Sequence, residues 1–238
     1  MNIKFKEKFF INGISNLIIF LVLISMFFIT LYPNSQTVLG SNKPVAIYNG
    51  NRESNKVSLM FNVYWGTEYI SDILKVLKDY NVKTTFFIGG QWAEKEHQKL
   101  LEIYNSGHEL GNHGYFHKEH SKLSYNQNKD ELSVCHAVVK KITDYDMNLF
   151  APPSGDFNKT TLQVATDLNY KTIMWSKDTI DWRDKDEELV FTRATKSVSG
   201  GDLILMHPTS HTLKALPKIL NYFFNNGLQV STVSNTLN

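Results

Sequence analysis

Strand-like and helix-like segments alternate along most of this chain. That order predicts an α/β protein on a parallel sheet, either open or closed as a barrel. Three observations carry the expectation. Apolar, β-branched runs such as residues 57–61 and 82–88 are each followed by a stretch with helical apolar spacing. The run "DLILMH" (Asp202 to His207) is apolar through its centre, as in a strand covered on both faces. Residues able to do chemistry (Asn62, His113, His117, Asp178, Asp181 and His207) follow expected strands. α/β barrels collect their active sites at that end.

In chain order, residues 45–48 read as a short strand and 57–61 as the first long one. Thr67 is the expected N-cap of a helix presenting Ile70, Ile73, Leu74, Leu77 and Tyr80 on one face. The strand 82–88 closes on Gly89-Gly90, and one helix is expected from 91 to 105, stopped by Gly107. "HELGNH" is a short strand entering a loop. Helices are expected at 127–143, 159–168, 187–198 and 212–225. Strands are expected at 171–175, at "DLILMH" and at 228–233.

The 238 residues carry a formal net charge of +2 and one cysteine, Cys135. No basic stripe marks a nucleic-acid partner, and an intramolecular disulfide is excluded. Cys135 shares a helical apolar spacing with Leu132, Val139 and Ile142, as a small core residue would. Lys4, Lys6 and Lys8 precede an uncharged stretch from Phe9 to Asn42, whose apolar part runs from about Ile11 to Leu31. A bilayer-spanning helix needs about 20 residues, and leading lysines favour a cytoplasmic N-terminus. Residues 1–32 therefore read as an uncleaved signal-anchor, with a cleaved signal peptide and secretion as the alternative. Residues 33–55, rich in Pro, Asn, Ser and Gly, read as a linker, and 56–238 as one domain of ordinary size.

In "GNHGYFH", His113 and His117 stand four apart. On a helical turn that spacing puts both imidazoles on one face, within reach of one metal ion; solvated surface histidines are the plain alternative. His207 closes an apolar strand and is either a satisfied core histidine or a general acid or base at a strand end. Asp178 and Asp181 lie between Trp175 and Trp182. A carboxylate beside an imidazole orients it, and either aspartate could instead cap a turn. "FAPPSG" alone is a rigid turn.

In this order, with "NVKTTFFIGG" and "SGHELGNH" between them, the motifs resemble the polysaccharide deacetylase family, the NodB-homology domain of carbohydrate esterase family 4. The resemblance runs from Val57 to the C-terminus. It implies a distorted (β/α) barrel that removes acetyl groups from cell-wall glycans, peptidoglycan or related, with a divalent metal, usually zinc, on one Asp and two His. By resemblance, His113 and His117 are the metal histidines. His207 is the general acid, Asp181 the carboxylate that tunes it, and Trp175, Leu205 and Pro153 contact the substrate.

The first motif departs from the family. Where the family reads T-F-D-D-G-P, this chain reads Met60-Phe61-Asn62-Val63-Tyr64-Trp65. Asn62 stands at the catalytic base and cannot accept a proton, though an amide can hold a water. Val63 stands at the metal aspartate and cannot ligate. Ala151 stands where the family has an Arg that braces the base. Three readings follow: a deacetylase with a weakened metal site, with Glu68 or Glu109 as the nearest substitute acids; a catalytically silent glycan binder; or a membrane-tethered scaffold. The first is placed ahead. Similar first-motif departures resemble a subgroup of deacetylase-like proteins of spore-forming bacteria, implying a cell-wall or spore-envelope role.

Overall fold

The structure, a computed structural model, describes residues 16–24 and 44–238. The chain divides into two units, residues 1–42 and 43–238. In the first, residues 16–24 are helical and Leu17 to Leu23 are exposed. No helix of the described residues is long and apolar enough to cross a membrane. The leading lysines and most of the expected span lie outside the described residues.

The second unit is built on nine parallel strands. They are β1 (Ala46–Ile47), β2 (Lys56–Val63), β3 (Thr85–Ile88), β4 (Glu109–Asn112), β5 (Leu149–Phe150), β6 (Lys171–Ile173), β7 (Lys177–Asp178), β8 (Leu203–Met206) and β9 (Gln229–Val230). Their order is β1-β6-β5-β4-β3-β2-β8-β7, with β9 beside β2. Only Met174 to Ser176 separate β6 from β7, near the two ends of that order. Three residues span at most about 10 Å, so the sheet curls round into an incomplete barrel. Met174 N–H reaches Ile47 O and Ser176 N–H reaches Leu203 O, tying the segment to both sides of the gap.

Strand alternation builds two cores. On β2, Val57, Leu59, Phe61 and Val63 face outward into the main core with the helices. Met60 joins Phe87, Leu149, Ala151, Ile173 and Leu203 in the smaller core inside the barrel. Gly111 is needed within that core, because a Cβ there would lie 2.4 Å from the Phe87 ring. The helices are α1 (Ile70–Asp79), α2 (Gly90–Lys95), α3 (His97–Asn105), α4 (Tyr125–Thr143), α5 (Lys159–Asp167), α6 (Glu187–Thr195), α7 (Ser210–Asn225) and α8 (Val233–Leu237). Cys135 is buried on α4, as its spacing implies.

Several boundaries differ from expectation. Thr67 caps nothing: Gly66 precedes a 3₁₀ turn there, and the Thr67 hydroxyl accepts the Trp92 indole N–H at 2.9 Å. The helix expected over 91–105 breaks at Glu96, since no buried anchor lies between Ala93 and Leu100. The last strand is only two residues, because Thr232 turns the chain and caps α8. That helix packs Val233 into the barrel interior, with its backbone N–H on the Thr85 hydroxyl at 2.8 Å. Residues 46–55, read from composition as linker, are part of the unit: β1 pairs with β6, and Arg52 bonds buried Asp202 at 2.7 Å.

Before β4, His108 is buried edge-on to Phe86 and accepts the Thr84 N–H at Nδ1. Burial, with Lys83 nearby, lowers its pKa to about 4. An unfolded histidine titrates near 6.5, so between these values the unfolded chain binds the extra proton. Stability is then full above pH ~6.5 and falls toward pH ~4, by up to about 3 kcal/mol from this group. Urea denaturation at pH 7 and 4.5 should show the fall, and His108→Asn should make it shallower.

Candidate functional site

The cavity at the C-terminal ends of the strands, about 330 Å³, brings the sequence-derived residues together. Asn62 from β2, His113 and His117 after β4, Trp175 after β6, Leu205 from β8 and His207 just after it all line it. Asp178, Ser154, Trp65 and Trp182 complete the lining. Asp181 stands behind His207. Pro153 is buried, and its neighbour Ser154 reaches the cavity in its place.

His113 extends the sheet ladder, its N–H on Ile88 O. Its ring Nδ1 lies 2.7 Å from the Ala151 carbonyl, which only accepts. Nδ1 therefore carries the hydrogen and Nε2 keeps its lone pair. Burial, with His117 adjacent, holds the His113 pKa well below the ordinary histidine value. The two rings are 5.0 Å apart, centre to centre. They do not share a helical turn. Gly114 and His117 take positive φ (71° and 56°), and the loop wraps the Glu131 carboxylate, which accepts Tyr115 N–H at 2.8 Å and Phe116 N–H at 2.7 Å. Histidine enters this region more readily than most residues. Burial also lowers the His117 pKa.

His207 is held from two sides. Asp181 Oδ1 accepts its Nδ1–H at 2.7 Å, and Oδ2 accepts its backbone N–H at 2.7 Å and the Thr212 hydroxyl at 2.6 Å. Nε2 is left for the cavity. Asp181 is turned to this position by Ile180, whose φ of 53° is rare for a β-branched residue. Asp178 accepts the Ile180 N–H at 2.8 Å and steadies that turn, and burial raises its own pKa. The other face of the His207 ring carries Trp65, stacked at 5.4 Å and 7°.

Glu131 and Trp65 escaped the sequence reading. Glu131 sits beside Leu132, on the buried stripe of α4, and a charge on an apolar stripe was the available signal. Trp65 had none beyond its place in the divergent motif.

The donor set does not fit the Asp-His-His metal centre. Val63 lies fully buried in the helix-side core and does not line the cavity. Glu68 lines a neighbouring depression. Glu109, at the opposite end of β4, bonds Thr85. Neither substitutes for the lost carboxylate. Among the described residues, no three His, Cys, Asp or Glu side chains converge to hold a metal ion. Asn62 is almost wholly buried and its Oδ1 has no hydrogen-bond partner.

Residues 49–173 match the family model described as polysaccharide deacetylase. YlxY of Bacillus subtilis, itself uncharacterised, is 35% identical over 196 residues, 82% of this chain and 61% of its own length. The chain therefore spans less than two thirds of that relative. A peptidoglycan-N-acetylglucosamine deacetylase of Bacillus cereus is 29% identical, over 78% of this chain and 70% of its own. The crystal structure of BA3943 from Bacillus anthracis, a CE4 family pseudoenzyme, superposes with a TM-score of 0.80 at 34% identity, covering 82% of this chain and 69% of that one. A BA3943 mutant with restored enzymatic activity gives 0.80 at 33% identity, over 82% and 72%.

Gly66, at φ 77°, sets Trp65 on His207: a Cβ there would lie 2.0 Å from the Pro208 carbonyl. Gly66→Ala should cost about 1 kcal/mol or more and lift the Trp65–His207 stack. Denaturation midpoint and tryptophan fluorescence will read both effects.

Proposed function

The chain belongs to the polysaccharide deacetylase family, and from that premise we propose that it acts on acetylated cell-wall glycan, peptidoglycan or related, at the strand-end cavity. One observation carries the reading: His207, fixed by Asp181, shares a cavity with His113 and His117. The proposed reaction is hydrolysis of an acetyl group. His207 Nε2 would take a proton from the attacking water and give it to the departing amine or alkoxide, with Asp181 stabilising the imidazolium in between. Trp175 and Leu205 would enclose the acetyl methyl, and Pro153 would back the wall that Ser154 presents. Asn62 would hold a water or the acetyl oxygen as a hydrogen-bond partner, and no proton is assigned to it.

Deacetylases of this family are generally metal-dependent. Zinc would find only His113 and His117 here, and two neutral imidazoles without an anionic ligand hold it weakly. No step is routed through it.

A second reading, binding without turnover, rests on Asn62 and Val63, which remove the base and the anionic ligand together. The likeness to a CE4 pseudoenzyme accords with it. Acetate release from N-acetylated glycan oligomers, with zinc added, separates the two. Release by the unaltered chain establishes hydrolysis. Binding without release establishes the second reading. Neither binding nor release refutes both. A companion variant tests the geometry. Val63→Asp should lose about 2–4 kcal/mol by placing a carboxylate in an apolar core, and added zinc should not recover that loss in a melting experiment, whereas Asn62→Asp, which puts the carboxylate at the cavity with His113 and His117, should be stabilised by zinc.

The N-terminal segment is proposed as a membrane tether that holds the domain outside the cytoplasm, where cell-wall glycan lies. The lysines before the uncharged run support it. Fractionated cells should return the full-length chain with the membranes. A shortened chain in the medium would replace the anchor with a cleaved signal.

A further inference from the structure

The first motif loses two carboxylates and gains two rings. Where the family reads Asp-Asp-Gly-Pro, this chain reads Asn62-Val63-Tyr64-Trp65. Each ring lies on one imidazole of the site. Trp65 is stacked on His207 at 5.4 Å. Tyr64 lies 5.0 Å from His117, ring centre to ring centre, at an angle of 37°. Glycine and proline carry no aromatic face, so the family's motif offers neither contact.

Tyr64 touches His117 without lining the cavity, which His117 does line. The tyrosine is itself fixed at two points. Its hydroxyl donates to Gln91 Oε1 at 2.8 Å. Its ring presses on the backbone of Gly89, where a Cβ would lie 2.3 Å from Cδ2. The same turn holds the histidine loop: Gly90 N–H bonds Gly114 O at 2.9 Å, and Gln91 N–H bonds Tyr115 O at 3.0 Å. The start of α2 thus grips the loop backbone, while Tyr64, bonded to that helix, meets the imidazole. His117 has φ 56°, a conformation that persists only where the surroundings over-determine it.

A metal ion bound by two imidazoles fixes their planes and their separation. The donor set here does not fit one, yet the rings of His113 and His117 stand 5.0 Å apart at 71°. The Ala151 carbonyl fixes the His113 ring and Asp181 fixes that of His207. For His117 the ring contact from the first motif is Tyr64. We infer that Tyr64 is the positioning residue of His117, and that Tyr64 and Trp65 together hold the imidazoles in place for an acetamido ligand without a bridging metal ion. The choice of ligand rests on the glycan reading above; the ring geometry stands without it.

The test uses the full chain, with the N-acetylglucosamine trimer as probe, read by calorimetry and by NMR of the imidazole protons. The cross-relaxation peak between the His113 and His117 rings should survive a chelator, and trimer affinity should then change by less than about twofold. Tyr64→Leu keeps apolar bulk and removes the flat ring. It should lose that peak and bind the trimer about three- to tenfold more weakly. Tyr64→Phe keeps the ring and should restore the peak and much of the affinity. A peak retained in Tyr64→Leu, lost on chelation, or lost equally in both variants overturns the inference. Absence of trimer binding in every form, with the peak behaving as expected, refutes the glycan reading and leaves the placement of His117 by Tyr64 standing.

Discussion

The two-residue period of β2 governs this molecule. Successive side chains on a strand face opposite ways, so positions 62 and 63 cannot both point into the barrel from a regular strand. Asn62 faces in, at the cavity. Val63 faces out and continues the series Val57, Leu59, Phe61 into the helix-side core. β2 is also the strand to which β3, β8 and β9 attach, so its alternation sets both cores at once. The replacement at 63 costs the fold nothing visible: one more aliphatic side chain is buried, worth about 1.5 kcal/mol or more. With an aliphatic side chain facing out at 63 and an amide facing in at 62, β2 offers the two imidazoles no anion to share around a metal.

The electrostatics of the cavity follow from that absence. His113 and His117 are pushed toward their neutral forms by burial and by neighbouring imidazoles. Asp181 faces them only through His207, its oxygens taken up by the donors of His207 and Thr212. Asp178 is shifted by burial toward its protonated form. The result is a cavity of imidazole rings, an amide and one carboxylate turned away behind His207, which suits an uncharged acetyl group better than an anion.

Much of this was legible in the sequence, for physical reasons that differ by element. The apolar spacing of Ile70, Ile73, Leu74 and Leu77 gave α1 its buried face, and all four are buried. "LILM" read as a covered strand, and β8 is buried throughout. His113, His117, Asn62 and His207 were placed in one site by the order of their motifs, and they share one cavity. Spacing alone misjudged how the two histidines meet: a helical turn was expected, but the loop is wound on Glu131, a residue fourteen positions away in sequence from His117. Long-range hydrogen bonds of that kind leave no local period to read. The break at Glu96 and the short β9 were missed for the converse reason, since local pattern continued where tertiary anchors did not.

The alanine at 151 follows from the asparagine at 62. Ala151 is fully buried among Met60, Phe87 and Ile173 inside the barrel. Its backbone serves the site whatever the side chain, since the carbonyl fixes the His113 tautomer and the N–H closes on Asn112 O. An arginine there is tolerable when a carboxylate at 62 neutralises it. Beside a neutral amide the guanidinium would be a buried charge without a partner, a cost of several kcal/mol. Once the base is lost, the brace becomes a liability, and a methyl group that packs is the stable replacement. The reverse holds as well: a carboxylate returned at 62 alone would lack the cation that the family's arginine supplies. The replacements at 62 and 151 are thus consistent with each other: one removes the carboxylate, the other the cation the family pairs with it.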